Sequence, residues 1–264
     1  MRKHVLAAFL TTSIVLAATA LARADEWTKK YTVSGKAELR VETSDGNVTL
    51  RAGEGKSIDA RVTTTGWRIG PDEVRVIDRQ TGDRLELEVR LPHYHWNVGH
   101  RSVRIELTVP REIDLEIRTS DGNISAEGVK GESRLSTGDG TIRAESLEGD
   151  LDASTGDGNV IVDGRFDRLR LKSGDGHIDA RVDPGSKMAE DWSVRSGDGD
   201  VSVRLPGNFA ADLSLHTGDG HIQIGFPLTV SGSMRESDIR GKLNGGGMTF
   251  TIHTGDGSIH VERL

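Results

Sequence analysis

An Asp-Gly pair recurs at Asp45, Asp121, Asp139, Asp157, Asp175, Asp198, Asp219 and Asp256, at spacings of 76, 18, 18, 18, 23, 21 and 37 residues. No other feature limits the fold so tightly, because self-similarity at a fixed period marks a chain built of stacked or arrayed units. The flanks repeat too. Two residues before each Asp stands a hydroxyl residue: Thr43, Thr119, Thr137, Thr155, Ser173, Ser196, Thr217 and Thr254. Four before is apolar (Val41, Ile117, Leu135, Ala153, Leu171, Val194, Leu215, Ile252), three after is Val or Ile (Val48, Ile124, Ile142, Val160, Ile178, Val201, Ile222, Ile259), and five after is again apolar, from Leu50 to Val261.

Apolar residues at every second position on both sides of a glycine turn predict strand, turn, strand, with one face of each strand buried. Asp-Gly is expected to supply a positive φ to the turn, with Asp bonding the backbone N–H groups beside it. Stacked coils place equivalent residues in columns, so each column must be compatible with itself; unconnected hairpins make no such demand. The expected fold class is therefore all-β, a parallel β-solenoid or β-helix with coils of about 18 residues, rather than a sandwich of consecutive hairpins. A second, more exposed corner is expected near Gly128–Gly131, Glu148–Asp150 and Gly164–Asp167, with loops at Asp183–Ser186 and from Gly225 to Gly247. Residues 57–110 lack the Asp-Gly mark but keep the alternation, with Thr81-Gly82-Asp83 as a hairpin turn. The expected organisation is residues 1–24 as a signal peptide, 25–110 as a less regular N-terminal β cap or first coils, and 111–264 as regular repeats, the last two forming one elongated domain.

The export reading rests on Arg2, Lys3 and His4, the mostly apolar run Val5–Leu21, and the small-x-small site Ala22-Arg23-Ala24 before Asp25. The apolar run is short for a bilayer span, and no membrane span is expected after cleavage. The chain contains no Cys, so it has neither disulfides nor a lipid-bearing cysteine. Without Arg2, Lys3 and Arg23 it would carry 31 basic and 41 acidic residues, a net charge of −10. That balance opposes nucleic acid as a partner. The expected location is the periplasm, cell envelope or extracellular space.

The units Thr119-Ser120-Asp121-Gly122-Asn123-Ile124 and Thr217-Gly218-Asp219-Gly220-His221-Ile222, the segment Ile105–Arg111 and the run Asn244-Gly245-Gly246-Gly247 resemble the bacterial β-strand-repeat "putative adhesin" family, domain of unknown function 4097. The resemblance covers nearly all of the chain after residue 24. It implies a β-helix-like fold and an envelope or surface location, and it implies no catalytic residues.

Three further chemistries are weighed against plainer readings. Stacked Asp139, Asp157 and Asp175 could attract calcium, although calcium β-rolls carry glycine-aspartate turns at both corners and this chain has them at one. His93-Tyr94-His95-Trp96-Asn97-Val98-Gly99-His100 could hold a metal or stack on a sugar; the plainer reading is a polar loop. His177, His221 and His260 are expected at exposed strand positions. A polysaccharide-active enzyme would need carboxylates that break the repeat. None is evident, and Arg143, Glu145 and Arg181 fit a solvated charge ladder. No residue is assigned as catalytic, cofactor-binding or metal-ligating, and no cofactor is expected. The expected function is a non-catalytic, adhesin-like scaffold that binds an unidentified glycan or protein, with a polysaccharide-active β-helix enzyme or a calcium-stabilised repeat protein as alternatives.

Overall fold

The structure, a computed structural model, describes residues 24–92, 101–230 and 235–264. The remainder, including positions 1–23 of the expected signal segment and the His93–His100 loop, lies outside the described residues. The described residues form an all-β chain of 21 strands in one continuous hydrogen-bonded sheet. Before the regular repeat come β1 (Ala24–Thr32), β2 (Ala37–Asp45), β3 (Asn47–Gly53), β4 (Ser57–Thr65), β5 (Arg75–Thr81), β6 (Arg84–Arg90) and β7 (Ser102–Pro110). The repeat continues as β8 (Ile113–Asp121), β9 (Ile124–Glu127), β10 (Lys130–Thr137), β11 (Ile142–Thr155), β12 (Val160–Lys172), β13 (Ile178–Val182), β14 (Trp192–Arg195) and β15 (Val201–Leu205). The C-terminal part holds β16 (Ala211–Thr217), β17 (Ile222–Ile224), β18 (Thr229–Val230), β19 (Asp238–Leu243), β20 (Thr249–Thr254) and β21 (Ile259–Arg263).

Each Asp-Gly unit is one rung, with a strand before the turn on a first face and a strand after it on a second. Equivalent strands pair in parallel and in register, so Val160 lies beside Ile178 and Ala153 beside Leu171. The inward columns exclude water along their length: Val48, Ile124, Ile142, Val160, Ile178, Val201 and Ile259 are all buried. Such burial stabilises by roughly 25 cal/mol per Å² of apolar surface. Toward the C-terminal end buried Trp192 packs against Phe209 and edge-on to Phe250.

The order of stacking departs from the order of the chain at both ends. β2 and β3 lie between the β6/β7 rung and the β8/β9 rung. In the same way β20 and β21, the last copy, slot between β14/β15 and β16/β17. The outermost layers are antiparallel: β4 covers β7 and β1 covers β4, β5 covers β6, and β19 followed by β18 covers β16. The stretch 225–247, expected as a loop, thus contributes two capping strands. Thr81-Gly82-Asp83 does turn between β5 and β6, with φ 61° at Gly82.

The Asp-Gly corner works differently from the expectation. Of its glycines only Gly46 has a positive φ, 141°. The others are required by crowding: a Cβ on Gly122, Gly140, Gly158, Gly176, Gly199, Gly257 or Gly220 would collide with the carbonyl of the equivalent glycine one rung away. Nor does Asp cap the turn. The buried hydroxyl two residues earlier does so, as Thr155 Oγ1 accepts from Gly158 N (3.2 Å) and donates to Gly140 O on the preceding rung (2.8 Å). Thr137, Ser173, Ser196, Thr254 and Thr217 each donate to a glycine carbonyl of the adjacent rung in the same manner. The second corner holds the positive-φ glycines instead, among them Gly131, Gly149 and Gly164. It is not a loose edge, because β11 and β12 run through it and Val129, Leu147 and Phe166 are buried there.

Candidate functional site

Outward residues of the first face also stack in columns. Five residues before the Asp, the column runs Glu86, Arg40, Glu116, Arg134, Asp152, Arg170, Ser193, Thr251, Ser214, Arg240. Charge alternates in sign over the first six rungs, and then three hydroxyls follow. Three residues before the Asp, the column runs Glu88, Glu42, Arg118, Ser136, Ser154, Lys172, Arg195, His253, His216, Asp238. Opposite charges directly across a strand pair stabilise, and like charges destabilise.

The N-terminal half therefore neutralises itself. Arg40 pairs with Glu42 (3.3 Å), Arg118 with Glu116 (2.7 Å), Arg134 with Glu132 (2.5 Å) and Arg90 with Glu88. Each pair joins positions i and i+2 of one strand, neighbours on the same face. In the C-terminal half the i−2 partner of Arg195, His253 and His216 is Ser193, Thr251 or Ser214. Among the described residues Lys172 and Arg195 form no ion pair, and these three hydroxyls make no side-chain hydrogen bond. Lys172 nevertheless lies directly beside Arg195. The His216 and His253 rings stack, 5.1 Å between centroids and 3° from parallel. Burial, then the neighbouring His216 and Arg195, push the His253 imidazole below its ordinary value. His216 Nδ1 stands 3.7 Å from Asp238 Oδ2, where the track ends. Next to it, a shallow depression of about 280 Å³ opens between Ser214, Arg240, Lys242 and Thr249.

Other surfaces are more fully occupied by their own contacts. A groove of about 540 Å³ on the second face contains Lys29, Lys30, Arg51 and Arg61, all in ion pairs, with Asp78, Asp59, Glu127 and Glu26. A depression of about 470 Å³ gathers Glu42, Asp72, Glu73 and Glu88, the place where a carboxylate-based enzyme would work. Glu42 and Glu88 are held by their arginines there, and Glu73 accepts from Arg68 N at 2.5 Å. On the second face Arg143 pairs with Glu145, and Arg181 lies 3.7 Å from Asp183.

The eight Asp-Gly carboxylates form an exposed column along the corner. Burial and the Asp121 charge raise the Asp45 pKa. Among the described residues no group of three or more His, Asp or Glu side chains is placed to hold a metal. His177 and His221 are exposed, just ahead of their strands, whereas His260 is half-buried on β21. His177 continues a polar ladder: Asn159 Oδ1 accepts from His177 N, and His177 Nδ1 from Asp200 N. No helix among the described residues is long and apolar enough to cross a membrane.

A family model described as Toastrack DUF4097 matches residues 36–164 and again 114–262. The chain belongs to this family. The two Toastrack matches overlap across the middle of the stack, so that each takes in one of the ends where a terminal copy is tucked under an outer rung. Solved structures with similarity to this Toastrack chain include a "putative cell adhesion protein" from Clostridium sporogenes, 16% identical, covering 90% of this chain and 100% of its own, with a TM-score of 0.46. A "putative adhesin" from Bacteroides fragilis is 16% identical over 90% of this chain and 97% of its own, TM-score 0.43. A "putative lipid binding protein" from Parabacteroides distasonis is 14% identical over 91% and 98%, TM-score 0.45. No curated protein matches the chain. Sequence reading did not single out His216 and His253. Their shared offset from Asp219 and Asp256 was a signal that they belong to one column, and the inserted position of β20 decides that His253 rather than His216 lies beside Arg195.

Proposed function

We propose that this Toastrack protein is an exported, non-catalytic envelope or surface scaffold, a parallel β-solenoid that binds a glycan or protein along its first face. The observation that carries this reading is the unneutralised C-terminal half of that face, where Lys172 sits against Arg195. Like-charged neighbours such as Glu42 and Glu88, or Arg181 and Arg204, each hold an opposite charge of their own, Arg40 and Arg90 in the first case and Asp183 and Asp179 in the second. Lys172 and Arg195 hold none among the described residues, and such departures concentrate where function opposes stability. An extended face of repeated groups also suits binding to a long partner. Export rests on the leader pattern of residues 1–24.

The test is a glycan and envelope-protein binding array probed with the purified chain. Saturable binding, weakened by substitutions at Lys172 and Arg195 and unaffected by substitutions at Lys30 and Arg61, is the expected result. Release of shortened chains from a polysaccharide, abolished by Glu88→Gln, would establish the enzyme reading in its place.

A further inference from the structure

We propose that the ligand of this face is a linear acidic glycan, a polymer with a carboxylate and free hydroxyls on each sugar, laid along the stack axis over Lys172, Arg195, His253 and His216. The inference rests on the scaffold reading above and adds the class of ligand.

The reason is the repeat of the site itself. Three successive rungs present a hydroxyl and, two residues on, a cationic or imidazole group: Ser193 with Arg195, Thr251 with His253, and Ser214 with His216. Residues i and i+2 of a strand point to the same side, and rungs follow at about 4.8 Å. The surface thus offers one hydroxyl and one anion partner per step, in two parallel rows. A uronate chain offers the complement, one acid and several hydroxyls per sugar. Lys172 and Arg170 extend the site by one rung, although Arg170 is paired with Glu190 at 2.7 Å.

The surroundings narrow the choice. Three residues beyond the cations on each rung lie Asp175, Asp198, Asp256 and Asp219, an exposed acidic row that runs parallel to the track. Asp238 closes the far end, and Glu42 and Glu88 stand at the other end of the column. A broad anionic surface such as a lipid headgroup layer would meet those acids, whereas a single thin strand can lie between them. Among the described residues the exposed large apolar side chains are Val230, Met248 and Leu264, and none of them stands on these rows to insert into a bilayer. Among the described residues the track carries no Phe, Tyr or Trp to serve as the stacking platform that single-stranded nucleic acid uses, and the chain's excess of acid opposes a polyanionic backbone.

Two of the four groups are imidazoles, His253 and His216. The groups around them are Arg195 on β14, Asp238 and Arg240 on β19, and the hydroxyls of β14, β20 and β16. Acidification adds positive charge to the track, so the ligand binds more tightly at low pH.

Binding of polygalacturonate is measured with the chain expressed with its own N-terminal segment, at low ionic strength, at pH 5.5 and 7.5. Saturable binding is expected, tighter at pH 5.5. K172Q/R195Q should weaken it by about tenfold, two surface charge contacts of about 0.7 kcal/mol each. H216Q/H253Q should remove most of the pH dependence, and unchanged thermal unfolding of both variants would show that they fold. Fully methyl-esterified polygalacturonate should not bind. Absence of polygalacturonate binding, equal binding of the methyl ester, or undiminished binding by K172Q/R195Q overturns the inference. So does a preference for phosphatidylserine vesicles, which would assign the track to a lipid surface. The scaffold reading fails separately, if no glycan or envelope protein binds at all.

Discussion

The two halves of the first face share one interior and differ in their exteriors. Under both, apolar columns and a row of buried Thr or Ser continue from rung to rung. Above them, the N-terminal half alternates Glu86, Arg40, Glu116, Arg134, Asp152 and Arg170, while the C-terminal half sets Lys172, Arg195, His253 and His216 in one file beside hydroxyls. The interior is thus a structural constant that frees the outward positions to vary. Where they vary toward unfavourable neighbours, stability does not account for the choice.

The sharpest way to break the comparison is to damage the interior of each half. Gly140→Ala and Gly257→Ala both drive a Cβ into the carbonyl of the neighbouring rung. Each should cost about 3 kcal/mol, read from denaturant unfolding followed by two probes. A large loss in one half and none in the other would show that the halves are not built alike. Next in size, Thr155→Val leaves Gly158 N and Gly140 O without their hydroxyl partner. It should cost about 2 kcal/mol, and Thr217→Val a similar amount through Gly220 N and Gly257 O.

The exterior should divide where the interior does not. Arg134→Gln leaves Glu132 only the longer contact to Arg168 at 3.7 Å and takes one of the flanking cations from Glu116 and Asp152, a loss of about 0.5 kcal/mol that fades at high salt. Arg195→Gln relieves Lys172 and His253 and should leave stability unchanged or slightly raised. Equal losses for the two arginines would erase the distinction. The smallest effect is in pH. Because the fold lowers the His253 pKa, it favours the neutral ring; that contribution is present above the ordinary imidazole value and is lost as pH falls through the lowered one. His253→Gln should therefore lose less stability than the parent chain between pH 7 and 5, as measured by thermal unfolding.

The rungs were legible because self-compatible columns leave a mark in sequence: Val160 and Ile178 share an offset and lie side by side. The neighbour order at the ends was not. Each copy presents the same inward classes, so the repeat pattern alone allows the Asp256 unit either between Asp198 and Asp219 or after Asp219; contacts such as the edge-on packing of Phe250 against Trp192 exist only in the first arrangement. The internal order of the cation track follows from it, since without the insertion Arg195 would face His216 and His253 would lie beyond. The turn was legible as a turn, but its mechanics were not. Asp-Gly is a strong signal for positive φ, whereas here glycine is demanded by a contact 18 or more residues away in sequence, which no local rule records. The hydroxyl column was visible, yet the bond from Thr155 to Gly140 appears only once two rungs are superposed.

The insertion is open to one direct measurement, helped by the absence of native cysteine. Ser202 and His260 are neighbours on adjacent parallel strands, and His260 in turn is the neighbour of Gln223. Adjacent rungs fall within disulfide reach, while positions two rungs apart, about 9.6 Å, do not. Under mild oxidation Ser202→Cys/His260→Cys should close an intramolecular disulfide and Ser202→Cys/Gln223→Cys should not. Closure of the second pair and not the first would mean that the copies stack in chain order, with the Asp256 unit outermost and Arg195 against His216 instead of His253.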